Sequence, residues 1–301
     1  MLRRGHATGR EMSQLLGSWA WIMLLFRPSL SVFRAVYRFA NVAQSRRFSL
    51  WNSARYELET ALRILPLLSS NLRSHFFSRC AAVDASSLAQ GVTMALISPS
   101  DSMQMQHASS LQNIAFRSPH LVDSRFLPLL EHSSTVHQFL HSSRWTTIVS
   151  SGWRWPDHIN ALETRAAYTA VRWCASFPSG MDSRFTILTD SRVAMFALNK
   201  GRSSSQNLYA PIRTTAAFLL AFGIRLQAIW IPSEQNPADA PSRKYWEEFS
   251  QSYQSEFHRI DSRRRRLSRA PLSYNNFALA SIPPLYPQIS WDLDWLHSLP
   301  R

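Results

Sequence analysis

Four acidic residues carry the chemistry this chain could do. Asp84 ends a run of small and β-branched residues (CAAVD, 80–84), and Asp190 ends a second such run (TILTD, 186–190). Glu163 sits inside an amphipathic stretch, and Asp239 lies in the Pro-punctuated loop NPADAP (236–241). Aspartate has poor β propensity and is costly to desolvate, so its place at the end of two apolar runs calls for a reason. Carboxylates held together repel one another, and a divalent cation relieves that repulsion. All-oxygen donors select a hard ion, Mg²⁺ or Mn²⁺. Two such ions about 3.5 to 4 Å apart can activate a water and stabilise the leaving 3′-oxygen of a phosphodiester. The chemistry this set points to is that of a nuclease.

Each acid also has an ordinary explanation. Asp190 could N-cap the helix that follows it. Asp239 could be a cap or a turn residue. Glu163 could be a rim glutamate, although Ile159, Glu163, Ala167 and Val171 form an i, i+4 stripe that puts the carboxylate on the apolar, sheet-facing side. The case for the set is collective: two strand-end acids, one helix acid and one loop acid can converge at one edge of a mixed sheet.

The elements that must position them are legible as an α/β pattern. Residues 80–97 read as a hairpin with a Ser/Gly turn region, and Trp145–Ser150 as a further strand. A helix runs from Ile159 to about Ala175, and Phe185–Asp190 is a strand. The helix Arg192–Lys200 is closed by Gly201, Gln206–Phe222 is a helix closed by Gly223, and Ile224–Ile231 is the last strand. Upstream, residues 1–75 look helical over Arg10–Phe26, Ser29–Phe39 and Trp51–Leu68, with boundaries at Pro28 and Pro66. Leu15–Phe26 is apolar for about a dozen residues, short of the roughly 18 to 20 of a bilayer span, so a buried helix and no membrane partner are expected. Arg27 and Pro28 stand where a signal peptide would need small residues.

Residues 98–142 are rich in Ser, His, Gln and Met and read as a long loop insertion. His107, His120, His132, His137 and His141 lie there, at spacings that match no tight zinc motif. From 249 to 301 a basic polar tail containing SRRRRLSR (262–269) is expected to be flexible.

The chain has 301 residues, 45% of them hydrophobic, which is enough for a real core. Lys+Arg number 33 against 19 Asp+Glu, a net charge of +14, which favours a polyanion such as nucleic acid unless it reflects a generally basic proteome. Lys200, Arg202, Ser203, Ser204 and Ser205 follow a helix end and offer charge and hydroxyls that can fix phosphates without reading bases; a Ser-rich surface loop is the alternative. Cys80 and Cys174 form neither a disulfide framework nor a CxxC site, so a reducing intracellular compartment, cytoplasmic or nuclear, is expected.

INALETRAA (159–167), LTDSRVAMFALNKGRSSS (188–205) and WIPSEQNPADAPSR (230–243), with VDASSLAQGV (83–92) as a weaker match, resemble the ribonuclease H region of retrotransposon Pol proteins. The resemblance is strongest to DIRS-type elements and related dinoflagellate-like retroelement sequences. Residues 10–39 are similar to the helical region joining reverse transcriptase to ribonuclease H in such polyproteins. The resemblance implies a ribonuclease H-like mixed five-stranded sheet flanked by helices over 76–248, preceded by a small all-helical, connection- or thumb-like segment over 1–75. It implies that Asp84, Glu163, Asp190 and Asp239 form a four-carboxylate Mg²⁺ site, with Mn²⁺ as an alternative ion, that cuts the RNA strand of RNA/DNA hybrids. A separate reverse transcriptase polymerase domain would be a partner.

The chain has no Asp-Asp pair, so the polymerase's paired aspartates are absent, and it looks like the C-terminal piece of a Pol protein. It also lacks the mobile histidine that some cellular ribonucleases H carry before the last acid. Two other functions fit the same residues: a catalytically inactive nucleic-acid-binding remnant, and a ribonuclease H-fold DNA recombinase or resolvase.

Overall fold

The computed structural model describes residues 1–117 and 134–244. A short strand, β1 (His6–Thr8), feeds directly into helix α1 (Gly9–Met23). Thr8 and Glu11 form a capping box there. Thr8 Oγ1 accepts from the Glu11 N–H at 3.2 Å and Glu11 Oε2 accepts from the Thr8 N–H at 2.8 Å, which satisfies two donors the first turn leaves open. Met12, Leu16, Trp19 and Met23 form the buried stripe of α1. Phe26, with φ −140° and ψ 86°, and Pro28 break the helix into a 3₁₀ segment, Leu24–Val32. Helix α2 (Ala35–Ala43), strand β2 (Arg47–Ser49) and helix α3 (Asn52–Ile64) follow. Strands β1 and β2 pair antiparallel, a feature absent from the expected all-helical segment because three residues carry no readable alternation.

Because α1 continues into the 3₁₀ segment, Gly9–Val32 is long and apolar enough to cross a membrane by length and composition, and 44% of its apolar window is buried. The helical run is thus longer than the apolar stretch read from the sequence.

Strands β3 (Arg79–Ala85) and β4 (Ala89–Leu96) form the expected hairpin, with Asp84 opposite Gly91. Helices α4 (Pro99–Arg117) and α5 (Ser134–Ser142) precede β5 (Thr146–Gly152), which is antiparallel to β4. Then come α6 (Ile159–Ala175), β6 (Arg184–Thr189), α7 (Arg192–Lys200), α8 (Gln206–Ala221), β7 (Arg225–Trp230) and α9 (Asp239–Arg243). Strand β6 is parallel to both β3 and β7. The order β5-β4-β3-β6-β7 is the mixed, ribonuclease H-like five-stranded sheet flanked by helices that the sequence led us to expect.

Strand β3 is central, and every residue from Cys80 to Ala85 is buried. Its alternation serves two faces. Ala81, Val83 and Ala85 pack with Ala166, Ala167 and Ala170 of α6, while Cys80 and Ala82 pack with Met105 of α4 and Phe139 and Leu140 of α5. Leu30, Phe33 and Phe39 of the N-terminal segment belong to the same apolar cluster as Phe185, Ile187 and Leu219. Gly201 makes that contact close: at φ +69°, a Cβ there would stand 2.3 Å from Arg27 O and 2.7 Å from Pro28 Cα. The 3₁₀ segment rests on the C-cap of α7 because Gly201 has no side chain.

The expected loop over 98–142 carries helices at both ends instead. Helix α4 buries Ser102, Met105 and Ser109, and Ser102 and Gln106 hydrogen-bond Thr186 of β6 at 3.1 and 3.0 Å. The stripe has helical spacing, but among the described side chains two of its three buried residues are serines, which hides it from a hydrophobicity reading. His120, His132 and the tail over 249–301 lie outside the described residues. Cys80 and Cys174 are free and buried.

Candidate active site

Strand β3 delivers Asp84 at its penultimate position, on the same parity as Cys80 and Ala82. That is the side on which α9 packs, and Ser242 of α9 donates its hydroxyl to Asp84 Oδ2. The loop before α9 is pinned to the strand by Asn236, whose Nδ2 donates to Val83 O at 3.1 Å and whose Oδ1 accepts from the Ala238 N–H at 3.0 Å. Ser86 Oγ adds a bond to Ser242 O at 2.8 Å.

Glu163 comes from the other face. On its stripe Ile159 is 43% exposed at the rim, whereas Glu163, Ala167 and Val171 are buried. The carboxylate therefore sits just inside the boundary of the core. Asp190 stands one residue beyond β6. It does not cap α7, because Ser191 does so, accepting from the Ala194 N–H at 3.2 Å. Asp190 Oδ2 instead accepts from Ser233 Oγ at 2.7 Å, and its main-chain oxygen accepts from Trp230 Nε1 at 3.0 Å.

Oxygens of Asp84, Glu163 and Asp190 all lie within 4.8 Å of one another, and the trio could hold a divalent cation. Glu163 Oε2 and Asp190 Oδ1 are buried without a hydrogen-bond partner. A buried acceptor left open costs about 1 to 3 kcal/mol and more when charged, so these two atoms fit a cation or a proton. Burial, then the charges of Asp84 and Asp190, push the Glu163 carboxyl up to about 9, with the Ala85 N–H pulling the other way. Burial also pushes Asp84 up to about 6; the Ser242 hydroxyl opposes this, and the Asp190 and Asp239 charges reinforce it. A metal-free site with these values keeps protons that an ion would displace.

Asp239 is not brought into the trio. It begins α9, and its Oδ1 accepts from Arg243 Nε at 2.8 Å and pairs with the same guanidinium at 2.7 Å. Its charge is still close enough to raise Asp84. The acids face an open cleft of about 760 Å³ whose lining also includes Ser86, Arg243 and Lys244. Lys200, Arg202, Ser203 and Ser204 line a separate cleft, while Ser205 stands at the N-cap position of α8 with no side-chain capping bond.

Ser233, Asn236 and Ser242 were not foreseen as site residues. Their signal lay inside the PSEQNPADAPSR stretch, where Ser and Asn side chains serve as local hydrogen-bonding hardware around a loop acid.

No protein-family model matches the chain, and no curated protein does. Among solved structures it is similar to a foamy viral protease-reverse transcriptase in complex with RNA/DNA hybrid, at 11% identity and a TM-score of 0.25, with 79% of this chain and 48% of that chain covered. The chain thus spans about half the length of that structure, and a likeness of this size adds no argument to the sheet topology.

Proposed function

We propose that this chain is a divalent-metal-dependent nuclease of ribonuclease H type that hydrolyses the RNA strand of RNA/DNA hybrids, as the C-terminal part of a DIRS-like retroelement Pol protein. The observation that carries the reading is the carboxylate trio with its two open buried oxygens, two of its acids at the ends of neighbouring parallel strands and the third on α6. Asp84, Glu163 and Asp190 would hold Mg²⁺ or Mn²⁺, with Asp239 as a fourth ligand once released from Arg243. Bound there, such ions supply an activated water and the charge that stabilises the leaving 3′-oxygen.

The residues of the chain do the rest. Ser242 and Ser233 orient the Asp84 and Asp190 carboxylates, and outer hydrogen bonds of this kind set ligand direction and basicity. Glu163, whose carboxyl burial pushes up, would hold a proton that a bound ion displaces. Arg243 and Lys244 offer cations to the phosphodiester in the same cleft. Selection of the RNA strand would rest on its 2′-hydroxyls, presented in a wide, shallow minor groove. A reverse transcriptase polymerase domain would be a partner on this reading.

The test is a labelled RNA/DNA hybrid incubated with the chain in Mg²⁺, in Mn²⁺ and in chelator, beside the Asp190→Asn variant. Metal-dependent cuts in the RNA strand that vanish with Asp190→Asn, while hybrid binding persists, are expected. Binding without cleavage in either ion would leave a non-catalytic remnant, and cleavage of duplex DNA in preference to the hybrid would leave a recombinase-like enzyme.

A further inference from the structure

We propose that the cleft between the N-terminal segment and the α7–α8 connection is a second nucleic-acid site, which grips the backbone of a strand continuing from the carboxylate trio. The class of ligand rests on the nuclease reading; the cleft itself does not. It encloses about 840 Å³. Arg34, just before α2, and Arg38 of α2 enter it from one side, Lys200 and Arg202 from the end of α7, and Arg213 from α8.

Aromatic rings alternate with these cations. The Arg34 guanidinium lies 4.8 Å from the Tyr209 ring and that of Arg202 lies 5.2 Å from Tyr37. Arg38 is 6.0 Å from Trp51, and Arg213 is 5.8 Å from both Tyr56 and Tyr209. The group is not core filling, since Tyr56 is 56% exposed and Arg34, Arg38 and Lys200 are exposed. A basic groove lined with aromatic faces is what tracks a nucleic-acid strand without reading its sequence: cations meet phosphates, and rings meet bases or sugars.

The acid in the lining does not neutralise it. Buried Glu57 accepts the N–H groups of Arg34, Ala35 and Val36 at 2.9 Å each, together with the Tyr209 hydroxyl at 3.4 Å. Its charge is thereby committed to the start of α2, and it fixes the wall that carries Arg34 and Arg38. The opposite wall is fixed by Gly201 against Arg27 and Pro28.

The distance suits a shared strand. Helix α7 starts beside Asp190 and ends at Lys200, so the cleft begins one helix length, about 13 Å, from the carboxylates. Phosphates along one strand of a duplex advance about 3.4 Å each, which separates the two sites by roughly four nucleotides.

Binding is measured in chelator, where no cleavage occurs, with the full chain and a fluorescent hybrid of about 16 base pairs, long enough for the four-nucleotide offset in either direction. Arg34→Glu/Arg38→Glu should weaken binding about tenfold or more and flatten the log–log salt slope by about 1.4 to 1.8, the loss of two phosphate contacts. Lys200→Glu/Arg202→Glu should do the same from the other wall, so that a folding defect in one pair leaves the second as the test. Arg46→Glu/Arg47→Glu, the same charge change outside the cleft, should lose far less. Equal losses in all three, or none in either cleft pair, overturn the proposal. Cleft variants that lose binding in a chain that never cleaves sink the nuclease reading alone; unaltered binding in a chain that does cleave sinks the cleft alone.

Discussion

Gly91 sits directly across the β3–β4 ladder from Asp84, and a Cβ on it would stand 2.3 Å from Ala238 O and 2.7 Å from Ser242 N. Helix α9 therefore rests on bare backbone beside the first acid, which is how the Ser242 hydroxyl comes to reach Asp84. Alanines do the same on the other face, letting α6 approach β3 closely enough to bring Glu163 to the strand end. The trio is thus assembled by absent side chains as much as by the acids themselves.

Gly91→Ala should separate α9 from the sheet. Backbone atoms rather than a flexible side chain meet the new methyl, so the structure must shift, at about 1 to 3 kcal/mol by the usual cost of overpacking. A lower denaturation midpoint and weaker metal-dependent cleavage are expected together. Wild-type values for both would show that α9 does not pack this tightly.

Ser242→Ala leaves the packing nearly unchanged but removes the hydroxyl that opposes the upward push on Asp84. The carboxyl should then ionise at higher pH and bind divalent ions more weakly, by about 10- to 100-fold for an outer-shell partner. Calorimetric titration with Mn²⁺ reads this directly, and an unchanged affinity would remove Ser242 from the site.

Stability of the metal-free chain should fall as pH rises. Glu163 and Asp84 ionise near 4.5 and 3.8 when unfolded but at about 9 and about 6 when folded, so the folded state keeps protons the unfolded chain has released. Their stabilising contribution is complete below the unfolded values and is lost as pH climbs through 6 and then towards 9. Glu163→Gln should flatten the upper part of that slope, and Mg²⁺ should raise Tm more at alkaline than at acid pH. A metal-free melting temperature that stays level between about pH 5 and 9 would contradict the burial of these charges.

Strand ends and helix stripes were readable because they depend on periodicity, and Asp84, Glu163 and Asp190 converge at the sheet edge although Asp84 and Glu163 come from opposite faces. The ambiguity over Asp190 resolves through its neighbour, because Ser191 supplies the capping oxygen. The hydroxyls of Ser233 and Ser242 were not readable, for they reach acids 43 and 158 residues away and spacing carries no trace of such pairs. Helix α4 was missed because buried Ser102 and Ser109 stand where apolar residues would mark its inner face.

Asp239 poses the sharpest remaining question. Its partner Arg243 is four residues on, with 64% of its side chain exposed, and an exposed i, i+4 pair is worth only about 0.3 to 0.5 kcal/mol. An ion in the trio has little to displace in recruiting this carboxylate, and Asp239 already acts on Asp84 through its charge. Arg243→Ala should therefore tighten Mn²⁺ binding slightly while weakening hybrid affinity, since the same arginine lines the cleft. Asp239→Asn should weaken Mn²⁺ binding, though less than Asp190→Asn, whose Oδ1 is buried without a donor. Equal Mn²⁺ affinity in Asp239→Asn and the unmodified chain would reduce the metal site to three carboxylates and leave Asp239 as the first-turn partner of Arg243.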